Sequence, residues 1–272
     1  MKKLPLGIQS YRKIIENDFL YVDKTQYIYE LVNGAGYYFF SRPRRFGKSL
    51  LLDTICEVIR GDKELFKGLF IYNTDYNFIK YPVLRIDMSG IANDSPESLK
   101  ASLSNELTNR IKDENLDISS GIVSDLFKNL IEALYKKYGQ RVAVFIDEYD
   151  KPILDHLGNE GITEANREFL RNFYGILKSS DSNIRMAFIT GVTKFTKTSL
   201  FSGMNNLRDI TLEKKFANIC GITIENLNEY FKEHIRYVSG LDEFENDIST
   251  FDRILYWYDG YSWDGNTKII NP

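Results

Sequence analysis

Cysteine and histidine are scarce in this chain, with two of each among 272 residues. Cys56 and Cys220, His156 and His234 show no metal-type spacing, so no zinc site is expected, and the two thiols read as reduced core residues. There are only six prolines, in an otherwise ordinary globular composition. No apolar run approaches the roughly 18 residues a membrane span needs. The opening Met1-Lys2-Lys3 is followed by no apolar stretch, so no secretory signal is expected there. The cytoplasm is the default compartment. A formal charge of -3 supplies no global attraction to nucleic acid. What is abundant is apolar and aromatic: 43% hydrophobic and 14% aromatic residues, enough for a substantial core. The length fits one large domain or two small ones.

Periodicity predicts alternating strands and helices. Residues 27–32 read as a short helix, and Tyr37-Tyr38-Phe39-Phe40-Ser41 as a buried strand. After a loop over 42–46, residues 47–60 carry Leu51, Ile55, Val58 and Ile59 at helical spacing and stop at Gly61. Strands are predicted at 82–87, 142–146 and 184–190, with helices over 98–111, 121–138 and 164–177. The continuous apolar run 142–146 suits a parallel strand covered on both faces. This alternation predicts an α/β fold: a three-layer domain with a mostly parallel sheet over residues 1–212. Residues 213–272 read as a small helical and aromatic C-terminal subdomain with a helix over 224–238, and the chain reads as a piece of a longer protein.

The chemistry is carried by Phe46-Gly47-Lys48-Ser49, placed between a strand and a helix. Unsatisfied N–H groups and the positive dipole end at a helix start suit a polyphosphate. Lys48 would add a point charge at the β- and γ-phosphates, and Ser49 would offer its hydroxyl to Mg2+. The usual pattern is G-x-x-x-x-G-K-[ST]; here Arg42 occupies the first glycine position, and Pro43 removes one donor. Arg42, Arg44, Arg45, Phe46, Gly47, Lys48, Ser49 and Leu50 form the candidate cradle, with the arginines available to phosphate. The second element is the run 142–146 followed by Asp147 and Glu148. It places two acids at the C-terminal edge of a parallel sheet, where open α/β folds bind ligands. Asp147 would hold the metal, and Glu148 would orient and deprotonate a water. Thr190, ending the fourth strand, either senses the γ-phosphate or bonds local backbone. Asp150 lies close enough to be an alternative acid, but reads rather as a surface turn residue. Lys194, Lys197, Asn205, Asn206 and Arg208 contact phosphate or a partner, or are a solvated loop. Tyr256, Trp257, Tyr258, Tyr261 and Trp263 read as core or hairpin packing, because no basic residue interleaves them as base stacking would require. His234 reads as structural.

Together these residues resemble the bacterial and archaeal AAA-ATPase-like family. The matching stretches are residues 4–8, 21–25, the loop Arg42-Pro43-Arg44-Arg45-Phe46-Gly47-Lys48-Ser49, 145–152, 190–192, 201–207 and 257–261. The resemblance implies a P-loop fold of the catalytic-glutamate type. In that fold the strand ending at Thr190 is inserted between the lysine-bearing strand and the Asp147 strand. It also implies that Arg42 is a family habit, and that many members carry a C-terminal nuclease-like region that this chain does not reach. Glu213 and Lys215 alone make no nuclease site.

The leading expectation is an ATPase that binds ATP with Mg2+ and drives or gates an attached effector or protein partner. A nucleotide-gated interaction module with little turnover is the alternative, and a small-molecule phosphotransferase the weaker third. ATP is favoured over GTP because no N-K-x-D signature is present. Nucleic acid is left open as a partner, and no membrane is expected.

Overall fold

The computed structural model describes residues 1–119, 121–194, 200–201, 203–240 and 249–272. Two helices, α1 (Tyr11–Glu16) and α2 (Thr25–Gly34), precede β1 (Tyr37–Ser41), and α3 (Lys48–Arg60) follows it across the loop. Next come β2 (Val83–Asp87), α4 (Pro96–Asp113), α5 (Val123–Tyr138) and β3 (Val142–Asp147). After a short α6 (Lys151–Leu154), α7 (Glu160–Ser179) leads into β4 (Ile184–Gly191) and then β5 (Leu207–Asp209). The chain ends with α8 (Ile224–Tyr230), α9 (Lys232–Ser239) and α10 (Thr250–Tyr258).

All five strands are parallel, in the order β2-β3-β4-β1-β5. The strand ending near Thr190 therefore lies between β1 and β3, as the resemblance implies. Alternation along each strand feeds two cores. Tyr37, Phe39, Val144 and Ile146 face α4, α5 and α7, where they meet Leu103, Leu130 and Phe173. Tyr38, Phe40, Phe145 and Phe188 face the other layer, with Ile28, Ile55 and Ile59 from α2 and α3. Because both faces are covered, all six residues of β3 are buried, as its unbroken apolar run predicts. No helix among the described residues is long and apolar enough to cross a membrane.

Departures from the sequence reading are local. The strand β5 spans three residues and contains Arg208 and Asp209, too short and too charged to announce itself. It forms because Leu207 and Arg208 pair with Tyr37 and Tyr38 at the sheet edge. The helix predicted over 224–238 breaks at Phe231 into α8 and α9. Residues 250–258, for which no helix is predicted, form α10, whose first turn is capped by the Ser249 side chain accepting from the Asp252 N–H. Lys197 and Ser202 lie outside the described residues.

The C-terminal region returns to the start of the chain. Lys24 Nζ donates to Asn226 Oδ1 at 2.7 Å, and the Met1 ammonium lies 3.2 Å from Glu233. His234, read as structural, sits 2.8 Å from the Lys2 carbonyl oxygen. Both cysteines are buried and free.

Candidate functional site

The loop 42–47 joins the end of β1 to the start of α3. Gly47, the N-cap, adopts φ +81°, a left-handed conformation for which glycine carries little steric cost, and no side chain among the described residues caps the helix. Among the described residues, a Cβ added at Gly47 would meet nothing within 4 Å beside the amino end of the helix. An uncapped helix start next to open space is an environment an anion fits. Lys48 is buried, and its ammonium donates to the Pro43 carbonyl at 3.0 Å, closing the loop on itself. Burial lowers its pKa, while the carboxylates of Asp147, Glu148 and Asp150 act in the opposite direction. Ser49 and Leu50 are half-buried in the first turn, and Arg44 and Arg45 are exposed. Arg45 adopts φ +68°.

Arg42 and Phe46 turn into the protein. Arg42 is 1% exposed and donates to the Ser41 and Thr211 carbonyls at 3.0 and 2.6 Å. Its guanidinium lies 4.5 Å from the Phe40 ring centre and 4.2 Å from that of Trp263. Its backbone N–H bonds the Gly191 carbonyl. Phe46 is fully buried against Tyr261 and Trp263. Both side chains anchor the loop, and the arginines left in solvent are Arg44 and Arg45.

Across the sheet edge, parallel register aligns the strand ends: Phe40 pairs with Thr190, Ser41 with Gly191, and Ile146 with Ile189. Asp147 is 1% exposed, and its Oδ1 accepts the Thr190 hydroxyl proton at 2.5 Å. Thr190 thus binds a side chain of the neighbouring strand rather than local backbone. Glu148 follows at φ +50°, half-buried. Its pKa is raised by burial first, then by Asp147 and Asp87, and lowered in part by Lys48 and Arg44. A carboxylate with raised proton affinity, in reach of a lysine and an arginine, suits proton acceptance from a polarised water.

Two residues of the site escaped sequence reasoning. Arg85, in β2, bridges Asp53 of α3 at 2.7 Å and Asp147 at 3.7 Å; a single charge inside the apolar run Val83-Leu84-Arg85-Ile86 was the available signal. Asp150 is the second, and the surface-turn reading is corrected. It is 1% exposed, and its Oδ2 accepts from the Val192 N–H, the Thr193 N–H and the Thr193 hydroxyl at 3.0, 2.7 and 2.6 Å. With the Tyr149 N–H bonded to the Thr190 carbonyl, this laces the 147–150 loop to the end of β4. Lys194 pairs with Asp209 at 2.5 Å, and Arg208 with Glu213, so these two basic residues of the predicted polar stretch are engaged within the protein. The C-terminal aromatics divide: Tyr261 and Trp263 pack on the loop, whereas Tyr256 and Trp257 are 79% and 74% exposed on α10, against the packing expected of them.

A parallel sheet with one strand between the lysine-bearing strand and the paired-acid strand, and an uncapped helix start after a lysine loop, defines a nucleotide-binding P-loop domain. The chain belongs to the AAA-ATPase-like family, whose model, described as a predicted AAA-ATPase, matches residues 5–201. It is 40% identical over 274 residues to an uncharacterized protein in the vnfD 5' region of Azotobacter chroococcum mcd 1, covering all of this chain and 50% of that protein. The chain thus spans about half the length of this curated relative. Among solved structures it is similar to a chain of Drosophila ORC bound to GC-rich DNA and Cdc6, with TM-score 0.36 and 12% identity over 76% of this chain and 58% of that one. A second is Drosophila ORC bound to poly(dA/dT) DNA and Cdc6, with TM-score 0.37 and 9% identity over 92% and 37%. Likeness at that level carries no functional argument.

Proposed function

We propose that this domain binds ATP with Mg2+ in the cytoplasm and hydrolyses it, driving or gating an attached effector or partner. The observation that supports the reading is the helix start at Gly47-Lys48 following β1, with β1, β4 and β3 in a register that brings Phe40, Thr190 and Asp147 level at the sheet edge. Residues 1–212 would form the catalytic unit, and residues 213–272 the subdomain that reports on it.

The Gly47–Leu50 backbone would hold the phosphates, with Lys48 as point charge and Arg44 and Arg45 as flanking cations. Ser49 and Asp147 would hold Mg2+, which supplies charge neutralisation on the phosphates. Thr190 fixes the Asp147 carboxylate through its hydroxyl and so orients that acid. Glu148, whose backbone is left-handed at φ +50°, would accept the proton of the attacking water. Arg42 and Phe46 keep the loop in place.

The test is a pair of substitutions read by titration calorimetry and phosphate release. Lys48→Ala is expected to abolish Mg-ATP binding, and Glu148→Gln to keep binding while losing turnover. Equal phosphate release by wild type and Glu148→Gln would refute the catalytic assignment. Thermal shift with Mg-ATP against Mg-GTP checks the base: saturation at a hundredfold Kd stabilises by about 2.7 kcal/mol. A nucleotide-gated module is the second reading, favoured by the altered first position of the loop. It predicts the same thermal shift with negligible phosphate release.

A further inference from the structure

We propose that the hairpin carrying Tyr261 and Trp263 is a working part of the nucleotide site: it clasps both ends of the phosphate loop, so that nucleotide and hairpin stabilise each other. The inference rests on the nucleotide-binding reading and adds positioning residues to it.

The loop has no regular structure of its own between β1 and α3, and its shape depends on what its side chains touch. At its first residue the Arg42 guanidinium lies between the Phe40 and Trp263 rings. Among the described residues its Nε and Nη2 have no acceptor, nor does Trp263 Nε1. At the far end, directly before Gly47, Phe46 meets Tyr261 edge to face at 4.7 Å and 75°, and Trp263 at 5.7 Å and 82°. One indole therefore contacts both ends of the segment that would surround the phosphates. Its position is set in turn by Tyr261, which stacks on it at 5.9 Å and 25°.

The hairpin is fixed from outside the loop. Tyr261 accepts from the Ile269 N–H at 2.8 Å, and Ile222 and Ile270 exchange two backbone bonds at 3.1 and 2.8 Å. Gly221 permits this approach, because a Cβ there would lie 2.4 Å from Ile269 and 3.4 Å from Phe46. Ile222 lies just before α8, so the strap connects the loop to the C-terminal helices. A buried guanidinium without a carboxylate partner is costly to hold and depends on its aromatic neighbours. Displacing Trp263 would remove one face of the Arg42 clamp and one ring packed on Phe46, slackening the loop that presents Gly47 and Lys48. Linkage makes the effect mutual: whatever the hairpin adds to nucleotide affinity, nucleotide adds to hairpin order.

The chain has two tryptophans, and Trp257 is exposed, so Trp257→Phe leaves Trp263 as the single reporter. Titrating that variant with Mg-ATP is expected to change its emission saturably, at the Kd that calorimetry gives for the wild type. Hydrogen exchange at residues 261–270 should slow with nucleotide bound. Trp263→Ala should weaken Mg-ATP binding at least tenfold, about 1.4 kcal/mol, and Trp263→Phe should recover part of the loss. Leu134→Ala, which destabilises the opposite core, should keep the wild-type Kd and so separates positioning from general loss of stability. If Trp263→Ala fails to fold, the emission and exchange measurements decide. A wild type that binds Mg-ATP while Trp263 emission and the 261–270 amides stay unchanged overturns the proposal, as does wild-type affinity in Trp263→Ala. A wild type that binds no Mg-ATP by calorimetry overturns the nucleotide reading itself, and this inference with it.

Discussion

Removing the Asp150 carboxylate tests whether the acid-bearing loop is held in place by the end of β4. Asp150 is 1% exposed, and its Oδ2 accepts from two backbone N–H groups and one hydroxyl within 3.0 Å. Asp150→Ala leaves three donors without that acceptor. A buried group stranded in this way costs about 1–3 kcal/mol, but Val192 and Thr193 are half-buried, so entering water recovers part of the loss. The net expectation is about 3–4 kcal/mol, and Asp150→Asn, which keeps one acceptor oxygen, should lose about half of that. At roughly 2–4 °C per kcal/mol for a domain of this size, Asp150→Ala should melt about 10 °C lower. Urea unfolding followed by circular dichroism measures the stability, and calorimetry with phosphate release measures function on the same samples. Because Asp150 positions the loop and touches no ligand in the proposed arrangement, Mg-ATP affinity should change by less than about threefold while hydrolysis falls with the misplaced Glu148. A stability change below about 0.5 kcal/mol would refute the reasoning.

Further expectations follow from the same geometry. Gly191→Ala places a Cβ 2.4 Å from the Tyr149 ring and 2.8 Å from Asp150; because backbone and ring must both shift, it should destabilise by about 1–3 kcal/mol in the same urea assay. Thr190→Val removes the hydroxyl that donates to Asp147, with an expected loss of about 1.5–3 kcal/mol for a bond to a charged acceptor. Lys24 is held at a pKa of about 8 chiefly by burial, against 10.5 unfolded. The folded state therefore gives up this proton first, so the protein gains stability as pH rises from about 8 towards 10.5, and below 8 the cost is constant. Lys24→Met should remove that rise, and urea midpoints between pH 7 and 10 for both proteins check it.

The fold was legible wherever local pattern and tertiary burial agree. The five apolar residues before Asp147 announce a strand covered on both sides, and the structure buries all of them. Gly47-Lys48-Ser49 announces its helix because a glycine N-cap and a helical apolar stripe are both local signals. The strand β5 was not legible, because three residues with two charges become a strand only through the edge that β1 offers. Asp150 and Arg85 were misjudged or missed for a related reason. A lone polar residue looks alike in sequence whether it faces water or three donors, 42 and 43 residues further on, just past the end of a strand.

Sequence alone determined the chemistry on offer at the site: a lysine after a glycine at a helix start, and paired acids at a strand end, are spacings along the chain and need no coordinates. Only the tertiary structure decided how those groups are held. Arg42 sits where a phosphate contact was expected and is instead buried between Phe40 and a tryptophan 221 positions further on. Contacts across such separations depend on how the sheet and hairpin close in space, and no local periodicity encodes that closure.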